Sequence, residues 1–230
     1  MSNLFYIILF FATRYLLMFV MLWIPKFFKH HINPEEVKQS QKDRESMWPL
    51  GLILDTLALA AFVSFADVSL FAGGFWASFF VLLAAHVVLV EPLYYGFHLL
   101  LHTGWIYRNH HIYHHRSVRT MATTSMSFTL LERISYTLLF AIPPLVAFLF
   151  GLFNYWAVLA FFLLFDLLNS FGHFNVKLES KWYKKSVLRW FVYSPEYHEK
   201  HHSEFLTNYA LFMPIFDRLF GTLSKKSFEE

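Results

Sequence analysis

The stretch FWASFFVLLAAHVVLVEPLYYGFHLLLH, Phe75–His102, decides the fold. Between Phe75 and Leu101 its one formal charge is Glu91. A helix of about 20 mostly apolar residues covers the hydrocarbon core of a bilayer, so this run reads as a membrane span. It ends on HLLLH, with His98 and His102 at i and i+4 on one helical face. A span that delivers two imidazoles to the membrane boundary frames the reading of everything else.

Four more apolar runs accompany it, at Leu4–Ile24, Leu50–Ala72, Ile134–Gly151 and Tyr155–Phe171. The first two are long enough to cross. The last two are shorter, are separated by Gly151, and the earlier one is interrupted by Pro143-Pro144. They read as a helical hairpin that crosses and returns, or as a re-entrant pair. The first run carries Arg14 and shows no small-residue cleavage site, so it reads as a retained anchor rather than a signal peptide. The composition agrees: 57% of residues are hydrophobic and 15% charged, where soluble domains carry about 25% charged residues. The expected fold is therefore all-α, an integral membrane protein of about five crossing or re-entrant helices with a histidine-rich helical cap. Residues 1–49 would form an anchor helix and polar linker, and residues 50–230 a membrane-embedded catalytic domain.

The polar pieces are Pro25–Pro49, His102–Arg133 and Gly172–Glu230, and five crossings place all three on one side. They hold 18 of the 19 Lys and Arg, Arg14 being the exception. Basic residues collect in cytoplasmic loops, so the pI near 9.0 reads as a topology signal. The expected location is an inner membrane or endoplasmic reticulum membrane, with the cap at the cytoplasmic face. The positive charge forms no nucleic-acid motif, so no nucleic-acid partner is expected. With no Cys, disulfides and thiolate ligands are excluded.

The cap repeats one pattern. NHHIYHHRSV supplies His111, His114 and His115; EYHEKHHSEF supplies His198, His201 and His202 at the same spacing. Positions i, i+3 and i+4 share a helical face, so each box is expected to aim three imidazoles at one point. Asn169 and His173 end the fifth run, again at i and i+4. All of these lie at one membrane surface, and imidazole is a common ligand of iron, zinc, copper and nickel. Nine donors exceed what one ion takes and point to two metals close together. His30 and His31 read as linker histidines, His86 as a satisfied buried histidine and His110 as off the box face. Asp166 and Glu91 are expected either to accept the other N–H of box imidazoles or to make interhelical polar contacts. Asp55 and Asp67 read as structural.

HLLLH, HIYHH and HEKHH, in this order and separated by an apolar hairpin, resemble the histidine pattern of the fatty acid hydroxylase / sterol desaturase superfamily. The resemblance runs from about Glu91 to Thr222. It implies a membrane di-iron oxidoreductase that uses O2 and two external electrons to hydroxylate or desaturate a lipid C–H position. It implies that His98, His102, His111, His114, His115, His173, His198, His201 and His202 are the metal ligands. Some members have His where this chain has Asn169, so one metal would keep an open position there. Zinc shares the imidazole preference of iron and is the expected contaminant of overproduced protein. A narrower stretch, SPEYHEKHHSEFLTNYALFMPIFDRLFGT (Ser194–Thr222), is similar to plant wax aldehyde decarbonylases, as is FGHFN. The large C-terminal domain of those plant proteins is not expected here. The aldehyde reading, deformylation to a hydrocarbon, therefore stands second to hydroxylation. No His-Pro-Gly-Gly haem motif is present, so electrons are expected from a separate donor of cytochrome b5, ferredoxin or reductase type, and the lipid substrate from the bilayer. A metal transporter would instead line a path through the membrane, and a haem carrier would need paired mid-membrane histidines where only His86 lies.

Overall fold

The computed structural model describes residues 3–66 and 68–225; Asp67 lies outside the described residues. Helix α1 spans Asn3–Met21, and a short α2 (Gln39–Glu45) leads into α3 (Trp48–Phe65). Helix α4 (Phe75–Ala85) passes through one turn of π-helix, His86–Val90, into α5 (Glu91–Leu101). Short α6 (Gly104–Ile106), a second π turn (Tyr107–His111) and α7 (Ile112–His115) cross the cap. Then α8 (Leu130–Phe140), α9 (Ile142–Leu149) and α10 (Tyr155–Gly172) return through the bundle. Helices α11 (Lys181–Lys185), α12 (Pro195–Glu204) and α13 (Ile215–Phe220) complete the cap.

Five helical stretches are long and apolar enough to cross a membrane: Asn3–Phe27, Gln39–Phe65, Phe75–Leu101, Leu130–Leu149 and Tyr155–Gly172. The third coincides with the sequence reading. The second stops at Phe65 rather than Ala72, and Phe71 beyond it pairs with Asn154 as an antiparallel bridge. Asn154 also caps α10, its Oδ1 accepting from Trp156 N (3.1 Å) and Ala157 N (3.3 Å), while its Nδ2 donates to Gly73 O (2.9 Å). One asparagine thus joins the two loops distal to the cap. Pro143 and Pro144 do not end the fourth span: they sit in the first turn of α9, where a missing N–H leaves no bond unmade.

The bundle packs α1 on α3 and α10, and α4 on α9 and α10. Phe10, Leu82, Phe153 and Val158 lie at the centre of the half away from the cap. Tyr94, Tyr136, Phe165, Tyr197 and Phe212 form a second core beneath the cap. Outside, Phe65, Leu138 and Phe80 are 91, 67 and 62% exposed; such a surface suits lipid rather than water.

Four charges inside the spans neutralise one another. Arg14 holds both oxygens of Asp166, at 2.6 and 2.8 Å, and reaches Asp55 Oδ2 at 2.9 Å. Arg133 bonds the same Asp55 oxygen (2.5 Å) and Gly51 O (3.0 Å), and Thr137 Oγ1 donates to Asp55 Oδ1 (2.7 Å). Two Arg and two Asp tie α1, α3, α8 and α10 together with no net charge. Asp55 is structural, as its sequence position suggests. Glu45 plays the same part at the cap, accepting from Gln41, Ser117, Thr123 and Thr124.

Candidate metal centre

Each box is positioned by local chemistry. Ser194 caps α12 by accepting from Tyr197 N (3.0 Å), and Pro195 sits in the first turn, so the helix starts three residues before His198. Thr129 and Glu132 form a capping box at the start of α8. After α12 the chain turns back over the histidines as a strap, residues 207–212. Asp217 holds it by accepting from Tyr209 N and Ala210 N, both at 2.7 Å, from Thr222 Oγ1 at 2.6 Å, and from Tyr197 Oη. Gly172 gives close passage to Tyr193, whose Oη would lie 2.0 Å from a Cβ there and donates to Leu168 O (2.6 Å).

All nine expected imidazoles come together, in two groups. His98, His102, His111, His115 and His201 form one; His114, His173, His198 and His202 form the other. Within each group the donor atoms lie within 4.8 Å of one another. The expectation that a box aims its three rings at one point is corrected. His111 and His115 enter the five-imidazole group and His114 the other, whereas His198 and His202 enter the four-imidazole group and His201 the first. Helical rotation explains the split: i and i+4 differ by about 40°, while i+3 lies about 60° to the other side.

The partners of the other ring nitrogens are mostly carbonyls. His98 Nδ1 donates to Tyr209 O (2.8 Å), His201 Nδ1 to Thr207 O (2.7 Å) and His173 Nδ1 to Asn169 O (2.8 Å). His111 Nδ1 donates to the Glu132 carboxylate (2.7 Å). Glu132 was not singled out from the sequence; its signal was the T-x-x-E capping box at Thr129. Asp166 does not hold a box histidine, because Arg14 takes both of its oxygens and a buried carboxylate is held by the nearest buried cation. Glu91 also serves another residue: its Oε1 lies 3.3 Å from His86 Nε2 and 3.3 Å from Phe212 N. His86 is thereby satisfied at Nε2, as expected. Asn169 Nδ2 donates to Ser125 O (3.2 Å), so its contribution to the smaller group is its backbone carbonyl on His173. His31 Nδ1 bonds Asn175 O (2.9 Å), apart from both groups.

The donor set fits metal ions. A carbonyl only accepts, so His98 carries its proton on Nδ1, and His111 keeps its own on Nδ1 as the hydrogen-bond donor to the Glu132 carboxylate. Both therefore turn bare Nε2 lone pairs toward each other, 3.1 Å apart. His115 Nε2 adds contacts of 3.2 Å to His111 and His102. Facing lone pairs repel unless a cation lies between them, and ligands at about 2.1 Å from one ion and about 90° apart are about 3 Å from each other. His201 Nε2 and both nitrogens of His202 are buried with no hydrogen-bond partner among the described residues. The rings are also neutral. Burial and neighbouring His201 push His102 down to about 2, and burial pushes His173 down to about 4 against its Asn169 bond. Burial first, then mutual repulsion, holds His111, His114, His115, His198, His201 and His202 well below the usual imidazole range.

The family described as fatty acid hydroxylase matches residues 83–222, which include both groups and every box. Protein CER1-like 1 of Arabidopsis thaliana is 35% identical over 189 residues, 81% of this chain and 30% of the relative. Very-long-chain aldehyde decarbonylase GL1-4 of Oryza sativa subsp. indica is 32% identical over 204 residues, 87% of this chain and 33% of the relative. Very-long-chain aldehyde decarbonylase CER1 of Arabidopsis thaliana is 32% identical over 207 residues, 86% of this chain and 32% of the relative. The chain spans about a third of the length of these relatives. No solved structure matches it. On the extent of the family match, the chain belongs to the fatty acid hydroxylase family.

Proposed function

We propose that the nine imidazoles hold two iron ions and that the protein oxidises a long-chain lipid near its polar end, using O2 and electrons from a separate donor protein. The pair of bare, buried Nε2 atoms of His98 and His111 carries this reading. When bound, the ions supply O2 activation. The chain's own residues orient and insulate. Carbonyls of Thr207, Tyr209 and Asn169 and the carboxylate of Glu132 lock four rings in one tautomer. Arg14, Asp55, Asp166 and Arg133 are consumed by one another and Glu91 is engaged by His86 and the Phe212 N–H, so none of these is free to hold a polar head deep in the bilayer. The reactive end of the substrate therefore belongs at the cap boundary, and its tail among the spans. A groove of about 360 Å³ between α5 and α8–α9, lined by Leu93, Phe97, Ser135 and Leu139, gives the tail a lateral entry. Its Phe97 packs on Tyr136, and Tyr136 on Phe128, which stacks on His114.

Within this activity the relatives reverse the order read from the sequence. Two that carry aldehyde decarbonylase in their names match 86–87% of the chain, well beyond residues 83–222. A long-chain fatty aldehyde shortened by one carbon is thus the first reading, and C–H hydroxylation, which the family description favours, the second. Mass spectrometry separates them when cells carrying the protein, iron and a reductase are fed a labelled long-chain aldehyde. A hydrocarbon one carbon shorter supports the first; an oxygenated product with every carbon retained supports the second. Oxidation of water-soluble metabolites alone overturns both.

The cap is assigned to the cytoplasmic side on its basic loops. The chain has no Cys, so single cysteines report sidedness without background. Ser40→Cys, Asn109→Cys and Ser203→Cys, all at exposed positions, should label from the cytoplasm and Gly74→Cys from the other side. Labelling of Asn109→Cys and Ser203→Cys from opposite sides would break the shared surface.

A further inference from the structure

A cavity of about 640 Å³ lies where the end of α1 meets the loop before α2 and the segment that follows α7. None of the nine histidines lines it. Its walls carry Lys26, Lys42 and Arg119 against one carboxylate, Glu36. No carboxylate pairs with Lys26 or Lys42 among the described residues. Arg119 Nη1 bonds the uncharged carbonyl of Glu35 (2.7 Å), so three cations face one anion. Thr120, also on the wall, is 1% exposed and its Oγ1 has no hydrogen-bond partner. A buried hydroxyl left unmatched beside an excess of positive charge is an incomplete anion site.

Position identifies the anion. Lys26 follows α1 directly and its ammonium lies 3.8 Å from the centroid of the Trp23 ring. Trp and Lys at the end of a span mark the headgroup level. The apolar part of the wall, Leu22, Pro25 and Met121, faces that same level. Cations above an apolar wall suit an amphiphile whose head is anionic. The volume falls in the range of small-ligand sites, about 300–1,000 Å³, and a concave pocket of this size takes a headgroup more readily than the surface of a folded protein.

We propose that this cavity binds the phosphate headgroup of an anionic phospholipid, with Lys26, Lys42 and Arg119 as counter-charges and Thr120 Oγ1 as a donor. The site does not depend on the metal reading. Native mass spectrometry of the full chain in non-ionic detergent tests it with dioctanoyl phosphatidylglycerol, dioctanoyl phosphatidylcholine and inorganic phosphate. The anionic lipid should be retained at least tenfold more tightly than the zwitterionic one. Lys26→Gln with Lys42→Gln, both at exposed positions, should cut that retention about tenfold, and Thr120→Val a few-fold. Metal content and the lipid-free Tm should stay unchanged in both variants, which separates lost binding from lost fold. Equal retention of the two lipids, or retention untouched in the double variant, overturns the proposal. Inorganic phosphate that binds as tightly as the lipid overturns the lipid assignment, and so does an acidic electron-donor protein whose binding alone suffers in the double variant.

Discussion

Two buried polar constellations sit one above the other in this protein, and they differ in completeness. In the Arg14–Asp55–Asp166–Arg133 cluster both carboxylates are held by guanidinium groups and the charges cancel. In the histidine cluster, neutral rings turn lone pairs toward one another, and His201 Nε2 and both nitrogens of His202 have no partner. Arg14 Nη1 and Arg133 Nε in the first cluster also lack a partner, but they are donors on cations whose charge the carboxylates already cancel. The second cluster is the one a cation would complete. Both draw on several helices and both are buried, so burial does not distinguish a structural polar cluster from a working one. The kind of group left unmet does: spare donors in the first, facing lone pairs in the second.

The largest expected effect falls on the second cluster. His114→Ala or His201→Ala should lower metal from about two per chain to one or fewer and abolish turnover, read by elemental analysis and product assay. Wild-type protein that carries no metal after production in iron-supplied cells would end the contrast between the clusters.

The next effect falls on the first cluster. Asp166→Asn leaves Arg14 with a shared partner and should cost about 3–5 kcal/mol of stability, the usual result of breaking a buried pair. Arg14→Met combined with Asp166→Leu leaves the Asp55–Arg133 pair neutral and should unfold later than Asp166→Asn in the same detergent. A double variant less stable than the single one would show that packing, not charge balance, holds α1 to α10.

Glu132→Gln sharpens the comparison inside the metal centre. It should weaken metal retention about 10–100-fold, the loss starting at the five-imidazole group, where the Glu132 carboxylate holds His111 Nδ1. Metal retention equal to wild type would contradict the assignment of Glu132 to His111. Smallest is Thr129→Ala, which removes a helix cap worth about 1 kcal/mol and loosens the other Glu132 oxygen. A few-fold faster metal release by a chelator is expected, with little change in turnover.

The spans were legible because apolar runs and lipid thickness share one length scale, and Phe75–Leu101 came out with the same ends in sequence and structure. The nine histidines were legible because their spacing repeats. Their division between two groups was encoded in that spacing too, since i+3 and i+4 lie on opposite sides of i, but a shared face was read as a shared target. The orienting partners were less accessible. Asp166 occupies the face that points toward His173, yet Arg14, 152 residues away in sequence, claims it. Thr207, Tyr209 and Asn169 act through carbonyls, which every residue possesses, so no residue type announces them. Glu132 lies 21 residues from His111, and its capping pattern announces a helix start without naming a second customer for the carboxylate.

The crossed allocation of the boxes has a thermodynamic consequence. Helix α12 delivers His201 to one group and His198 and His202 to the other, and the α7 segment mirrors it with His111 and His115 against His114. Neither group can be assembled while the other's helices remain undocked. An ion captured by one group would fix the helices that present donors to its neighbour, so a second ion would meet rings already in place. Occupancy would thereby be coupled: at limiting metal the population should divide between chains with two ions and chains with none, and partial supply would lower the number of loaded molecules rather than the loading of each.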